Sequence, residues 1–153
     1  MNTIPKKRPA RARQSFFQFT QQIEYGLFLL AILAVEEETG VIRSIRTIAN
    51  DTGLSFSFLQ KVANRLKKAE IIKAVRGKQG GFRIARKAHS IFLGEVIEAL
   101  EGQIRVMSCL DDNRTKAHPC PSKEFCAIKH NFGKVNHDIR TTYLSKPLSE
   151  FFS

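Results

Sequence analysis

Residues 44–86 carry, in one unbroken run, the pattern that most narrows what this chain can fold into: two short capped helices followed by a hairpin. Ser44 is a capping residue placed just before Ile45, Ile48 and Ala49, and Gly53 supplies the stop. Ser55 then caps a second helix, in which Phe58, Leu59, Val62 and Leu66 keep helical spacing and the remaining positions are rich in Ser, Gln, Lys and Arg. Two short helices joined by D-T-G-L-S form a helix-turn-helix layout. Next, IIKAV (71–75) is short and β-branched, RGKQGG (76–81) is a glycine-rich basic turn, and FRIAR (82–86) alternates. That is a β-hairpin. A hairpin directly after the second helix is the wing of a winged helix, so the expected fold is mainly α with one small β-hairpin.

The flanks add helices. Residues 20–35 read as a helix with a broad apolar face at Ile23, Leu27, Leu30, Ala31 and Ala34, followed by a loop at Thr39–Gly40. A basic start followed by LFLLAILAV (27–35) imitates a secretory signal. However, the polar residues between Arg13 and Gly26 separate the two parts, and Glu36–Glu38 close the run where a cleavage site would stand. The run is also too short to span a bilayer, so it is expected to be a buried helix. A short helix over 93–101 places Val96, Ile97 and Leu100 inward and ends at Gly102. From 103 to 126 periodicity fails, and this stretch holds all three cysteines, Cys109, Cys120 and Cys126. Beyond it Ile128, Phe132, Val135, Ile139 and Tyr143 mark an amphipathic helix of about four turns. Having no evident partner within a winged helix, this helix is expected to pair with a second copy of the chain. The expected organisation is therefore a basic disordered arm (1–16), a winged helix-turn-helix (17–102), a cysteine segment (103–127) and a dimerisation helix with its tail (128–153).

Charge locates the working surface. The 25 Lys+Arg against 14 Asp+Glu give +11, and residues 43–87 alone hold twelve basic side chains against Asp51 and Glu70. From 88 to 153 the charges cancel. A surplus concentrated on the second helix and the wing points to a polyanionic partner, with double-stranded DNA favoured over a membrane surface. No glycine-rich phosphate loop, nucleophile–base arrangement or carboxylate pair appears, and GKQGG lacks the spacing of a phosphate-binding loop, so no enzyme is expected. Three cysteines are too few for a disulfide scaffold and favour a reducing, cytoplasmic compartment.

IANDTGLSFSFLQKVANRLKKAEII (48–72), VRGKQGGFRIAR (75–86), GEVIEALEG (94–102) and Tyr25 in the first helix resemble the Rrf-type bacterial transcription regulators. The likeness runs from about Phe19 to Phe152. It implies a homodimer that binds a palindromic operator, with the two recognition helices about 34–36 Å apart on successive major grooves. Carried over position by position, Ser57, Gln60 and Lys61 face bases and Arg76 stands at the wing root. Ser55, Arg65, Lys67, Lys68, Lys78, Gly80 and Arg83 complete the expected DNA-contacting surface. Gln can pair bidentately with adenine and Lys can donate to guanine, so these residue types suit base readout. Where the family usually has glycine before the first wing strand, this chain has Glu70. It also begins well before the family's usual start near Phe19.

The resemblance further implies that Cys109, Cys120 and Cys126 ligate an iron–sulfur cluster, of the 2Fe–2S or the 4Fe–4S type. The gap from Cys120 to Cys126 matches the family, and that from Cys109 to Cys120 is longer. Three thiolates leave one ligand position open. Glu24, just before Tyr25, stands where the nitric-oxide-sensing relatives place a carboxylate that reaches the cluster from the partner subunit. His130, four residues after Cys126 and on the same helical face, is the alternative, and His118 stands beside Cys120. Other readings stay open: a zinc site of three cysteines and a histidine, a thiol sensor closing Cys120–Cys126, or buried inert thiols. The functional expectation is a repressor whose DNA affinity follows redox, nitric oxide or iron status. The alternative is a cluster-free member governed by thiol oxidation, a small ligand or a protein partner.

Overall fold

The computed structural model describes residues 19–39, 41–77, 80–110 and 126–152. Helix α1 (Gln21–Thr39) is the central element and packs against the second helix of the helix-turn-helix pair, the wing and the helix that follows it. Its buried positions are Ile23, Leu29, Leu30 and Leu33, with Leu27 and Ala34 partly buried. Ile23, Leu27, Leu30 and Ala34 of the expected face do turn inward, and Leu29 and Leu33 extend the buried surface beyond it, because α1 is apolar on nearly every side. The helix also continues through the glutamates expected to end it. Phe28 and Val35 remain exposed.

Helix α2 (Ile45–Thr52) starts where Ser44 Oγ accepts the Thr47 N–H at 3.1 Å, and ends at Gly53 in the left-handed conformation, φ 72°. Helix α3 (Phe56–Lys68) starts at Ser55, whose Oγ accepts the Phe58 N–H at 3.4 Å. Each such cap is worth about 1 kcal/mol. Leu59, Val62, Ala63 and Leu66 of α3 are buried against α1 and α2. The exit of α3 is a Schellman turn: Ile71 N–H donates to Leu66 O and Glu70 N–H to Lys67 O, each at 3.0 Å. Glu70 therefore sits at φ 58°, the single non-glycine residue with positive φ among those described. A side chain in this position costs about 1 kcal/mol, which explains the glycine that the resemblance leads one to expect there.

Strands β1 (Ile72–Val75) and β2 (Gly81–Ile84) pair antiparallel, Ile72 opposite Ile84 and Val75 opposite Gly81. Ile72 and Ile84 enter the core while Lys73 and Arg83 face solvent. A bridge from Arg43 to Phe82 adds a third rung, with Phe82 N–H donating to Arg43 O at 3.1 Å. The stretch that leads into α2 is thereby stitched to the wing.

Helix α4 (Leu93–Glu101) buries Leu93, Val96, Ile97 and Leu100. Helix α5 (Ala127–Ile139) continues through a wider turn at Arg140–Leu144. Its far end docks on α4: Leu144 lies against Gly94, and Arg140 pairs with Glu98 at 3.1 Å. The tail then returns to the core. Leu148 is fully buried, its N–H donates to Ile91 O at 2.8 Å, and Leu93 N–H donates to Lys146 O at 2.9 Å. The C-terminal helix therefore does have a partner inside the winged helix, at its last turns. The sequence carries no local sign of this, because the contacts join residues more than forty positions apart. No helix among the described residues is long and apolar enough to cross a membrane.

Candidate nucleic-acid interface and metal centre

With Leu59, Val62, Ala63 and Leu66 turned inward, helical geometry fixes what α3 shows to solvent. Ser57, Lys61, Asn64 and Lys68, spaced by four, three and four, form the outermost stripe, with Gln60 beside it, and all five are exposed. Asn64 joins the stripe through the same periodicity that places the core residues on the opposite face. Ser55 caps the helix and its Oγ lies 3.2 Å from Ser57 Oγ, so the two hydroxyls share a hydrogen bond at the N-terminus of α3. Arg65 lies to the side of this stripe: its guanidinium donates to Leu100 O at the C-terminal end of α4, a carbonyl that also accepts from Gln22 of α1.

On the wing, Lys73 stands directly opposite Arg83 on the exposed face. Like charges so placed repel each other in the free protein and are relieved by an anion, the arrangement expected where a phosphate docks. Lys73 becomes recognisable only from the strand register. Arg76 is exposed at the wing root, and Gly80 N–H is used inside the turn, donating to Gly77 O at 2.9 Å. Lys78 lies outside the described residues. Of the two phenylalanines at the start of α3, Phe58 packs inward, its ring edge-on to Tyr25 at 4.9 Å, and Phe56 stays exposed.

The second surface is the start of α5. Cys109 sits in a single tight turn, Ser108–Leu110, that packs against α5, and Cys126 is the residue at which α5 begins. Both are half-buried free thiols. Val106 N–H donates to Asn136 Oδ1 of α5 at 3.2 Å and pins the segment leading to Cys109. Leu110, Cys126, His130 and His137 line one open depression of about 690 Å³, together with Lys129 and Lys134. Thus Cys126 and His130 share this depression, a thiol and an imidazole of the kind that iron–sulfur or zinc sites use, while Cys109 lies in the adjoining turn and is not among the residues that line it. Cys120, His118 and the basic arm 1–16 lie outside the described residues. Glu24 is exposed on the first turn of α1, and no group of three metal-ligating side chains forms among the described residues. Ile128, Phe132 and Val135 make an exposed apolar stripe along α5, and Tyr143 is 60% exposed beyond it.

Residues 19–150 match the family model for Rrf2, described as an iron-dependent transcriptional regulator. The chain belongs to the Rrf2 family. It is 30% identical to the HTH-type transcriptional regulator NsrR of Bacillus subtilis over 113 residues, covering 74% of this chain and 75% of the relative. Among solved structures it is similar to CymR, the global cysteine regulator of B. subtilis, with a TM-score of 0.67 at 23% identity over 89% of this chain and 96% of that one. It is likewise similar to IscR of T. potens, with a TM-score of 0.65 at 26% identity over 89% of this chain and 86% of that one. The Rrf2 chain described here is thus a transcription regulator of winged-helix fold, with relatives that are transcription regulators rather than enzymes. Regulators of this family bind DNA.

Proposed function

We propose that this Rrf2 regulator is a cytoplasmic homodimeric repressor that reads a palindromic operator and is controlled by an iron–sulfur cluster held by Cys109, Cys120 and Cys126. The observation that carries the reading is that Cys126 and His130 share one depression on α5 and the Cys109 turn packs against the same helix, in a chain whose family model is described as iron-dependent. Glu24 of the partner subunit supplies the fourth ligand, with His130 as the alternative. When bound, the cluster supplies a redox-active centre whose loss frees its ligands. The apolar stripe of α5 joins two copies, since an exposed stripe of this kind marks an association surface.

Communication from the cysteines to DNA runs through the end of α4. Leu100 O receives Arg65 from the recognition helix and Gln22 from α1, and Thr20 donates to Glu101 at 2.6 Å. Just beyond Gly102 the chain enters the segment that bears Cys109. A rearrangement of that segment therefore pulls on a joint that grips α3 directly, which is an order–disorder switch in form.

Gln60 and Lys61 face bases, while Lys73, Arg76, Lys78 and Arg83 face phosphates. Gln60→Ala is expected to weaken cognate binding by about 1–3 kcal/mol and relax sequence preference. Arg83→Ala is expected to weaken all duplexes alike and lower the salt slope by about one. Titrations of cognate and random duplexes at several salt concentrations separate the two, and identical effects of both variants would refute the assignment of faces. The cluster is tested by iron and acid-labile sulfide analysis of anaerobically prepared protein. Sulfide in stoichiometric amount with the chain is expected; a colourless, sulfide-free protein overturns the reading.

A further inference from the structure

We propose that Phe56 is a specificity-determining residue that recognises a thymine of the operator through its 5-methyl group, with Arg46 fixing the ring and anchoring it to the adjoining phosphate. The inference rests on the docking of α3 in the major groove and adds a base contact that neither charge nor hydrogen bonding would reveal.

Phe56 is the first residue of α3 and its side chain is 40% exposed, although the surrounding surface is built of serine, glutamine and lysine. Two residues later Phe58 takes the inward place, edge-on to Tyr25. Phe56 is therefore not the phenylalanine that completes the core. Its ring is not loose either: the Arg46 guanidinium, from the first turn of α2, lies 5.1 Å from the ring centroid. That stacking orients the ring from one side and leaves the guanidinium edge available, since Arg46 has no hydrogen-bond or ion-pair partner among the described residues.

In helix-turn-helix docking the N-terminal residues of the second helix meet base edges while the first helix crosses the backbone. Phe56 then faces bases and Arg46 faces phosphate. The apolar group that a base pair presents in the major groove is the thymine methyl, a partner suited to an aromatic edge. A phenyl ring kept outward by a cation, at the helix end that enters the groove, has the chemistry of a thymine reader.

Replacing thymine with deoxyuridine removes that methyl and nothing else. The operator is first selected from random duplexes with the full chain, and each thymine is then replaced in turn. Binding is measured for the wild type, Phe56→Ala and Phe56→Leu, with circular dichroism as a check that each is folded. At one thymine of each half-site, deoxyuridine is expected to cost the wild type about fourfold, the worth of one buried methyl group. In Phe56→Ala that cost disappears while the costs at other thymines persist, and in Phe56→Leu, which keeps an apolar side chain, most of it remains. The proposal is overturned if every deoxyuridine cost is the same in Phe56→Ala as in the wild type. If Gln60→Ala leaves sequence preference untouched as well, the docking of α3 itself is wrong. A preserved Gln60 effect confines the failure to Phe56.

Discussion

Gly81→Ala is expected to lower the unfolding free energy by about 3 kcal/mol, a large share of the roughly 5–15 kcal/mol that holds a domain together. A Cβ at this position would lie 2.1 Å from Arg43 O, 2.4 Å from Arg43 C and 2.9 Å from Ser44 N. All three are backbone atoms, so no side chain can swing aside. Strand β2 has to separate from the stretch before α2, which breaks the Phe82 N–H to Arg43 O bond and unseats the Ser44 cap. The cap alone is worth about 1 kcal/mol, and the lost hydrogen bond and displaced strand account for the rest. Gly133→Ala is the control, because a Cβ there meets nothing within 4 Å and alanine favours a helix interior by up to about 1 kcal/mol. Urea denaturation of both variants checks the contrast; equal stabilities would mean that the wing is not stitched to α2.

The second large effect belongs to the tail. Leu148→Ala is expected to cost about 2–5 kcal/mol, the range for deleting a fully buried leucine. Leu148 has no exposed surface and its backbone is bonded to Ile91, so the site cannot simply collapse. Phe151, half exposed three residues on, serves as the comparison: Phe151→Ala should change stability by well under 1 kcal/mol. A cost below 1 kcal/mol for Leu148→Ala would show that the tail does not share the core.

What the sequence disclosed and what it hid follow from range. The caps at Ser44 and Ser55, the stop at Gly53 and the alternation of the wing strands are local signals, and the structure contains each where the pattern puts it. Glu70 shows the same logic in reverse, since a departure from glycine becomes a residue held at positive φ. Hidden were contacts between distant segments: Leu148 against Ile91, the Arg43–Phe82 bridge, and Arg65 reaching the end of α4. The inward face of α1 was only partly legible for a different reason: Ile23 and Leu30 are buried as expected, but a helix apolar on nearly all sides gave no sign of Leu29 and Leu33. On α3, helical spacing accounts for the exposure of Ser57, Gln60 and Lys61, whereas their assignment to bases came from the resemblance. Lys73 and Phe56 needed the strand register and the packing of Phe58. In the cysteine segment the shared site was an implication of the resemblance, and of its three thiols Cys120 lies outside the described residues.

The link between the cysteine segment and the recognition helix is tested most directly by operator affinity measured anaerobically on one preparation, as isolated and after its iron has been removed. The proposed switch predicts at least a tenfold difference between the two forms, and no difference in a Cys126→Ala protein. Equal operator affinity before and after iron removal, with the fold intact, would contradict it.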